Sequence, residues 1–169
     1  MSIQDFSEIL ERLTPMLLDL DQILLDPNNP RLAEARGTIE PEEGIDGSGV
    51  QETTFVALKK DGIDDLRASI ATSGYLPIQM LVVRKHFKPG SDKYVVLEGN
   101  RRVAAIRWIM TEAPPGVTGE ILEKRRSKLM KLNLLLVNTT TEKLERDRLL
   151  LQGISHMSPV RGWPAFARA

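Results

Sequence analysis

Lys93-Tyr94-Val95-Val96-Leu97-Glu98-Gly99-Asn100-Arg101-Arg102-Val103-Ala104-Ala105-Ile106 is the stretch that decides how this 169-residue chain reads. Tyr94–Leu97 is apolar and rich in β-branched residues, as a buried strand is. Gly99 has no Cβ and lets the backbone come close to a ligand. The segment after it reads as a helix whose first turn carries Arg101 and Arg102. The first amides of a helix lack intrahelical partners and carry the positive end of its dipole. Arginines there add forked donors suited to phosphate. The stretch therefore predicts a phosphate-binding corner. The structural alternative pairs both arginines with Glu98 or with acids from the N-terminal half.

Upstream, Ile78–Arg84 is an apolar strand, and Lys88-Pro89-Gly90-Ser91-Asp92 turns it into the strand 93–98, which predicts a hairpin. Asp64–Ser73 is a helix that starts with acids and stops at Gly74, and Thr72–Pro77 connects it to the first strand. Gln51–Lys60 is a further helix. Residues 33–50 hold glycines, prolines and acids and predict a surface loop, disordered alone or ordered by a ligand. Asp26-Pro27-Asn28-Asn29-Pro30-Arg31 is a turn cluster closing on an arginine. Leu18–Ile23 alternates like a half-buried strand, and residues 3–12 form a helix for packing or dimerisation, ended by Pro15.

Downstream, Ala113-Pro114-Pro115-Gly116 breaks the chain. Glu120–Lys131 is a helix with five basic residues, read as a solvated face ahead of a nucleic-acid contact. Leu132–Val137 is a third apolar strand, Thr139–Gln152 a helix, and Ile154–Pro164 a loop leading into a further helical segment.

Composition narrows the classes. At 41% hydrophobic and 27% charged residues the chain can bury a core of ordinary size. It has no cysteine, which excludes disulfides, thiolate metal sites and thiol catalysis. Its two histidines, His86 and His156, lie too far apart for a ligand-pair spacing. No apolar run reaches the roughly 18 residues of a membrane span, and the acidic N-terminus fits neither a secretory signal nor a transit peptide. The expectation is a cytoplasmic protein without a membrane partner. Residues 1–65 hold 15 acidic and 5 basic side chains, whereas residues 66–169 hold 8 and 18. That asymmetry implies either an anionic partner for the basic half or attraction between the two halves.

The series strand, Asn29-Pro30-Arg31 loop, helix ending in Gly74-x-x-Pro77, two strands, Glu98-Gly99-Asn100-Arg101-Arg102 helix, strand, helix resembles the N-terminal, ParB-like nuclease domain of the ParB and sulfiredoxin superfamily. The resemblance covers roughly residues 17–169. It implies an α/β (α+β) fold, a small mixed sheet flanked by helices, with residues 1–16 as an N-terminal helix, 17–153 as the domain and 154–169 as a C-terminal loop and helix start. It also implies a site for a nucleoside triphosphate, with Mg2+ as its companion ion. Carried over, Arg101 and Arg102 donate to phosphates, and Gly99 and Asn100 supply close-approach backbone. Ser69 offers a hydroxyl, Gly74 and Pro77 shape the nucleoside side, and Arg31 closes over the phosphates.

Two departures stand out. Asn100 occupies the neighbourhood where sulfiredoxin has its reactive cysteine. Leu150–His156 stands where partition-type ParB proteins carry Glu-Asn-x-x-Arg. The resulting expectation is a nucleotide-binding module of a DNA-associated protein, regulating DNA contact or self-association as a homodimer. The alternatives are a nuclease or small phosphotransferase, with Glu98 or Asp65 as acid–base or metal residue, and an interaction domain that has lost the nucleotide.

Overall fold

The computed structural model describes residues 2–75 and 81–157. Among these, a five-stranded mixed sheet is built in the spatial order β1-β5-β3-β4-β2, from β1 (Leu13–Asp19), β2 (Ile23–Leu24), β3 (Val82–Lys85), β4 (Tyr94–Glu98) and β5 (Lys131–Val137). β1 runs antiparallel to β5, β3 parallel to β5 and antiparallel to β4, and β2 parallel to β4. The expected mixed α/β architecture and the β3–β4 hairpin are therefore present.

Helices cover both faces of this sheet, which explains why its central strands read as nearly continuous apolar runs. Successive side chains of a strand point to opposite sides. Val83, Val96, Leu132 and Leu134 accordingly face the larger core, and Val82, Leu97, Leu135 and Val137 the smaller one. The larger core is completed from α3 (Ser48–Lys60), α4 (Asp64–Ser73), α5 (Asn100–Thr111) and α6 (Gly119–Leu129). The smaller is completed by α1 (Ile3–Glu11) and α7 (Leu144–Met157). α1 lays Phe6, Ile9 and Leu10 into this core, and a Cβ on Gly153 of α7 would sit 3.3 Å from the Phe6 ring.

Several boundaries differ from the sequence reading. Pro15 does not end an ordered stretch; it lies within β1, opposite Leu135. β1 is an edge strand, where a missing amide donor is tolerated. The division at residues 16 and 17 thus falls inside a strand, and α1 packs onto the same sheet as the rest. Leu18–Ile23 is split by a 3-10 turn at Leu20–Gln22. The α7 helix extends through Met157, past the expected start of the C-terminal loop.

The 33–50 region is also more ordered than its composition suggests. α2 (Pro30–Arg36) begins it, with Asn29 as N-cap and Pro30 in the first turn. Asn28 then brackets Glu40 through two hydrogen bonds of 2.8 and 2.7 Å. Glu42 clamps the buried Arg84 guanidinium at 2.7 and 2.9 Å, and Ile45 is fully buried. These anchors lie far away in sequence, so local composition carries no trace of them. No helix among the described residues is long and apolar enough to cross a membrane.

Candidate functional site

Gly99 adopts φ 107°, ψ 22°, a left-handed conformation suited to glycine, and turns the end of β4 directly into α5. No side chain caps this helix start. The side chain of Asn100 is otherwise employed: its Nδ2 donates to the Asp26 carbonyl at 3.0 Å, and its Oδ1 accepts from the Asp26 amide at 2.9 Å. This exchange fixes the loop between β2 and α2 against the corner. Asp26 is itself buried and paired with Arg148 of α7 at 2.9 Å. Gln51 of α3 braces the same loop, accepting from the Leu25 amide and donating to the Leu25 carbonyl, both at 2.9 Å.

The braced loop brings Arg31 to the corner. Asn29, Arg31 and Leu32 form one wall of a cleft of about 380 Å³, Leu58 and Asp61 with Leu66 form another, and Glu98–Arg102 forms the floor. Its size lies within the range of small-molecule sites. Three arginines and two carboxylates line it, and Leu32, Leu58 and Leu66 supply an apolar part.

The charges are not idle. Arg31 NH1 lies 3.2 Å and Arg101 Nε 3.8 Å from the same Asp61 oxygen, and Arg101 also donates to the Gly62 carbonyl at 3.0 Å. Arg101 thus has the N-terminal-half acid that the structural alternative required. Arg102 is half-buried, and desolvation pulls its guanidinium below the ordinary arginine range, opposed by Tyr75 and Glu98. Tyr75 is pushed up to about 12 by burial, against the opposing pull of Arg102, and its hydroxyl donates to the Asn133 carbonyl at 3.0 Å. The Ser155 hydroxyl reaches Glu98 Oε1 at 3.5 Å.

Of the residues singled out in the sequence, Arg31, Glu98, Gly99, Asn100, Arg101 and Arg102 come together in the cleft. Ser69 is exposed on α4, one turn beyond Leu66, and is not among the lining residues. Gly74 has a packing reason to be glycine: at φ 87°, a Cβ would lie 2.5 Å from Arg125 NH1. Pro77 lies outside the described residues. Asp65 is an exposed first-turn acid of α4. Asp61 escaped the sequence reading because Asp-Gly after a helix reads only as a turn. Among the described residues no group of three or more His, Cys, Asp or Glu is placed to hold a metal. Asp61 and Glu98 are the carboxylates at the cleft, and magnesium commonly needs only one or two beside phosphate oxygens.

Across the described residues, part of the charge asymmetry is neutralised internally. Arg84, Lys88, Arg101, Lys131, Arg146 and Arg148 each pair with an acid of residues 1–65. On α6, Arg125 holds the Ala71 and Thr72 carbonyls and Arg126 the Ile109 carbonyl. In the Leu150–His156 segment, Leu150 and Leu151 are fully buried core residues. Comparison of the chain with protein-family models, with curated proteins and with solved structures gives no match in any of the three.

Proposed function

We propose that the chain is a ParB-like nucleotide-binding module of a DNA-associated protein, holding a nucleoside triphosphate at the Glu98–Arg102 corner and regulating DNA contact or self-association. The observation that supports this reading is the convergence of Arg31, Arg101 and Arg102 on one cleft at an uncapped helix start. In this reading Arg101 and Arg102 donate to the phosphates, the Gly99–Asn100 backbone approaches them, and Arg31 closes from α2. Leu32, Leu58 and Leu66 offer the nucleoside an apolar surface. Magnesium would arrive with the phosphates, Glu98 being the acid at hand.

The test is a thermal-shift panel of the four nucleoside triphosphates, each with and without magnesium. At least one should raise the melting temperature, and the double substitution Arg101→Ala, Arg102→Ala should remove that rise. No response to any of the four would reject the reading.

A further inference from the structure

We infer that the Asp61 carboxylate occupies the seat of the ligand's anionic group, so that a polyphosphate binds by displacing it from Arg31 and Arg101. The inference rests on the nucleotide-binding reading and adds the residue that sets its affinity.

Two arginines from unrelated elements, α2 and α5, point at one oxygen, Asp61 Oδ2. Such convergence is what an oxygen of a bound phosphoryl group requires. The contact is loosely made, at 3.2 and 3.8 Å, with the side chains of Arg31 66%, Arg101 46% and Asp61 28% exposed. Elsewhere the chain builds tight forks: Arg12 grips Asp147 with two bonds of 2.7 Å, and Arg84 grips Glu42 at 2.7 and 2.9 Å. An open, single-oxygen contact exchanges for a better anion far more readily than a buried fork does.

As an acid, Asp61 is badly placed with respect to the helix it ends. It is the C-cap of α3, at the negative end of the helix dipole, where a carboxylate is unfavourable. Arg101 keeps a second hold on the Gly62 carbonyl, so it stays at the cleft when the carboxylate leaves. A phosphoryl group carries more charge and more acceptor oxygens than a carboxylate. Once Asp61 swings out, that group can use Arg31 and Arg101 together.

The test uses the full chain without magnesium, titrated calorimetrically with sodium tripolyphosphate and with the four nucleoside triphosphates. Asp61→Asn keeps the shape and removes the competing charge, and it should bind tripolyphosphate about fivefold tighter than the unsubstituted chain, the factor that releasing one exposed ion pair allows. Glu52→Gln removes the same charge from an exposed position of α3 outside the cleft and should leave the affinity unchanged. Adding Arg31→Ala to Asp61→Asn should cancel the gain. Tighter binding confined to Asp61→Asn, with a nucleoside triphosphate bound by the unsubstituted chain, supports the inference; without that binding the inference falls with the reading it rests on. Equal or weaker binding by Asp61→Asn, or an equal gain from Glu52→Gln, overturns it. If a nucleoside triphosphate still binds the unsubstituted chain in that case, the nucleotide reading stands alone. If no probe binds either protein, both readings fall.

Discussion

Asn100 and Asp26, 74 residues apart, exchange two hydrogen bonds, the amide of each partner serving the carbonyl-type oxygen of the other at 2.9 and 3.0 Å. Both residues are buried, at 5% and 2% exposure. This exchange holds the loop that carries Arg31 against the helix start that carries Arg101 and Arg102, together with Gln51 at Leu25 and Arg148 at Asp26.

Asn100→Ala should therefore cost more than two ordinary hydrogen bonds. It strands a buried amide and a buried carbonyl of Asp26, at about 1–3 kcal/mol for each unsatisfied group. We expect a loss of about 2–4 kcal/mol, read as a lower urea midpoint with an unchanged slope. A loss below about 1 kcal/mol would mean that Gln51 and Arg148 suffice to hold the loop.

Gly99→Ala places a Cβ on a backbone at φ 107°. The predicted loss is about 1 kcal/mol or more from that strain. Because the same dihedral aims the first turn of α5, any nucleotide-induced thermal shift should shrink with it. A variant that melts at the original temperature and responds fully to nucleotide would contradict this.

Arg148→Met leaves the Asp26 carboxyl buried without its cation, and should destabilise the fold by about 3–5 kcal/mol at neutral pH. The deficit should depend on pH. Burial pushes the Asp26 carboxyl up while Arg148 opposes the rise, so the variant's carboxyl sits higher still. A raised folded-state value contributes stability below the unfolded pKa that is lost as pH rises through the folded one. The gap between variant and parent, measured by urea melts from pH 4 upward, should widen with pH.

Asp147 behaves in the opposite sense. Burial alone would raise its carboxyl, but hydrogen bonds from Arg12 and Thr139 outweigh burial and hold it below the ordinary range. Its contribution is present above the unfolded value of about 4 and is lost as pH falls through the lowered folded one. Arg12→Met should flatten the acid limb of the stability profile below about pH 4, and an unchanged limb would remove Asp147 from the account.

For direct DNA contact through α6, the expected salt dependence is shallow. Arg125 and Arg126 are engaged with backbone carbonyls, which leaves the exposed Lys124 and Lys128 as its principal donors. At about −0.9 per phosphate contact, the slope of log affinity against log salt should be near −2. A slope of about −5 or steeper would place the DNA on a larger basic surface.

The sequence by itself determined the strand–glycine–helix corner and the mixed α/β class, because apolar periodicity, glycine conformation and helix-start electrostatics are local properties. It also determined the β3–β4 hairpin, through a turn cluster between two apolar runs. Tertiary structure decided what local signals could not encode. Pro15 sits inside a strand because that strand is an edge, and residues 33–50 are ordered because Glu42 finds Arg84 and Asn28 finds Glu40. Above all, folding brought Arg31 and Asp61 to the Glu98–Arg102 corner. The contacts that place them there span tens of residues, from Asn100 to Asp26 and from Arg101 to Gly62, and no pattern along the chain records which distant partner a polar side chain will meet.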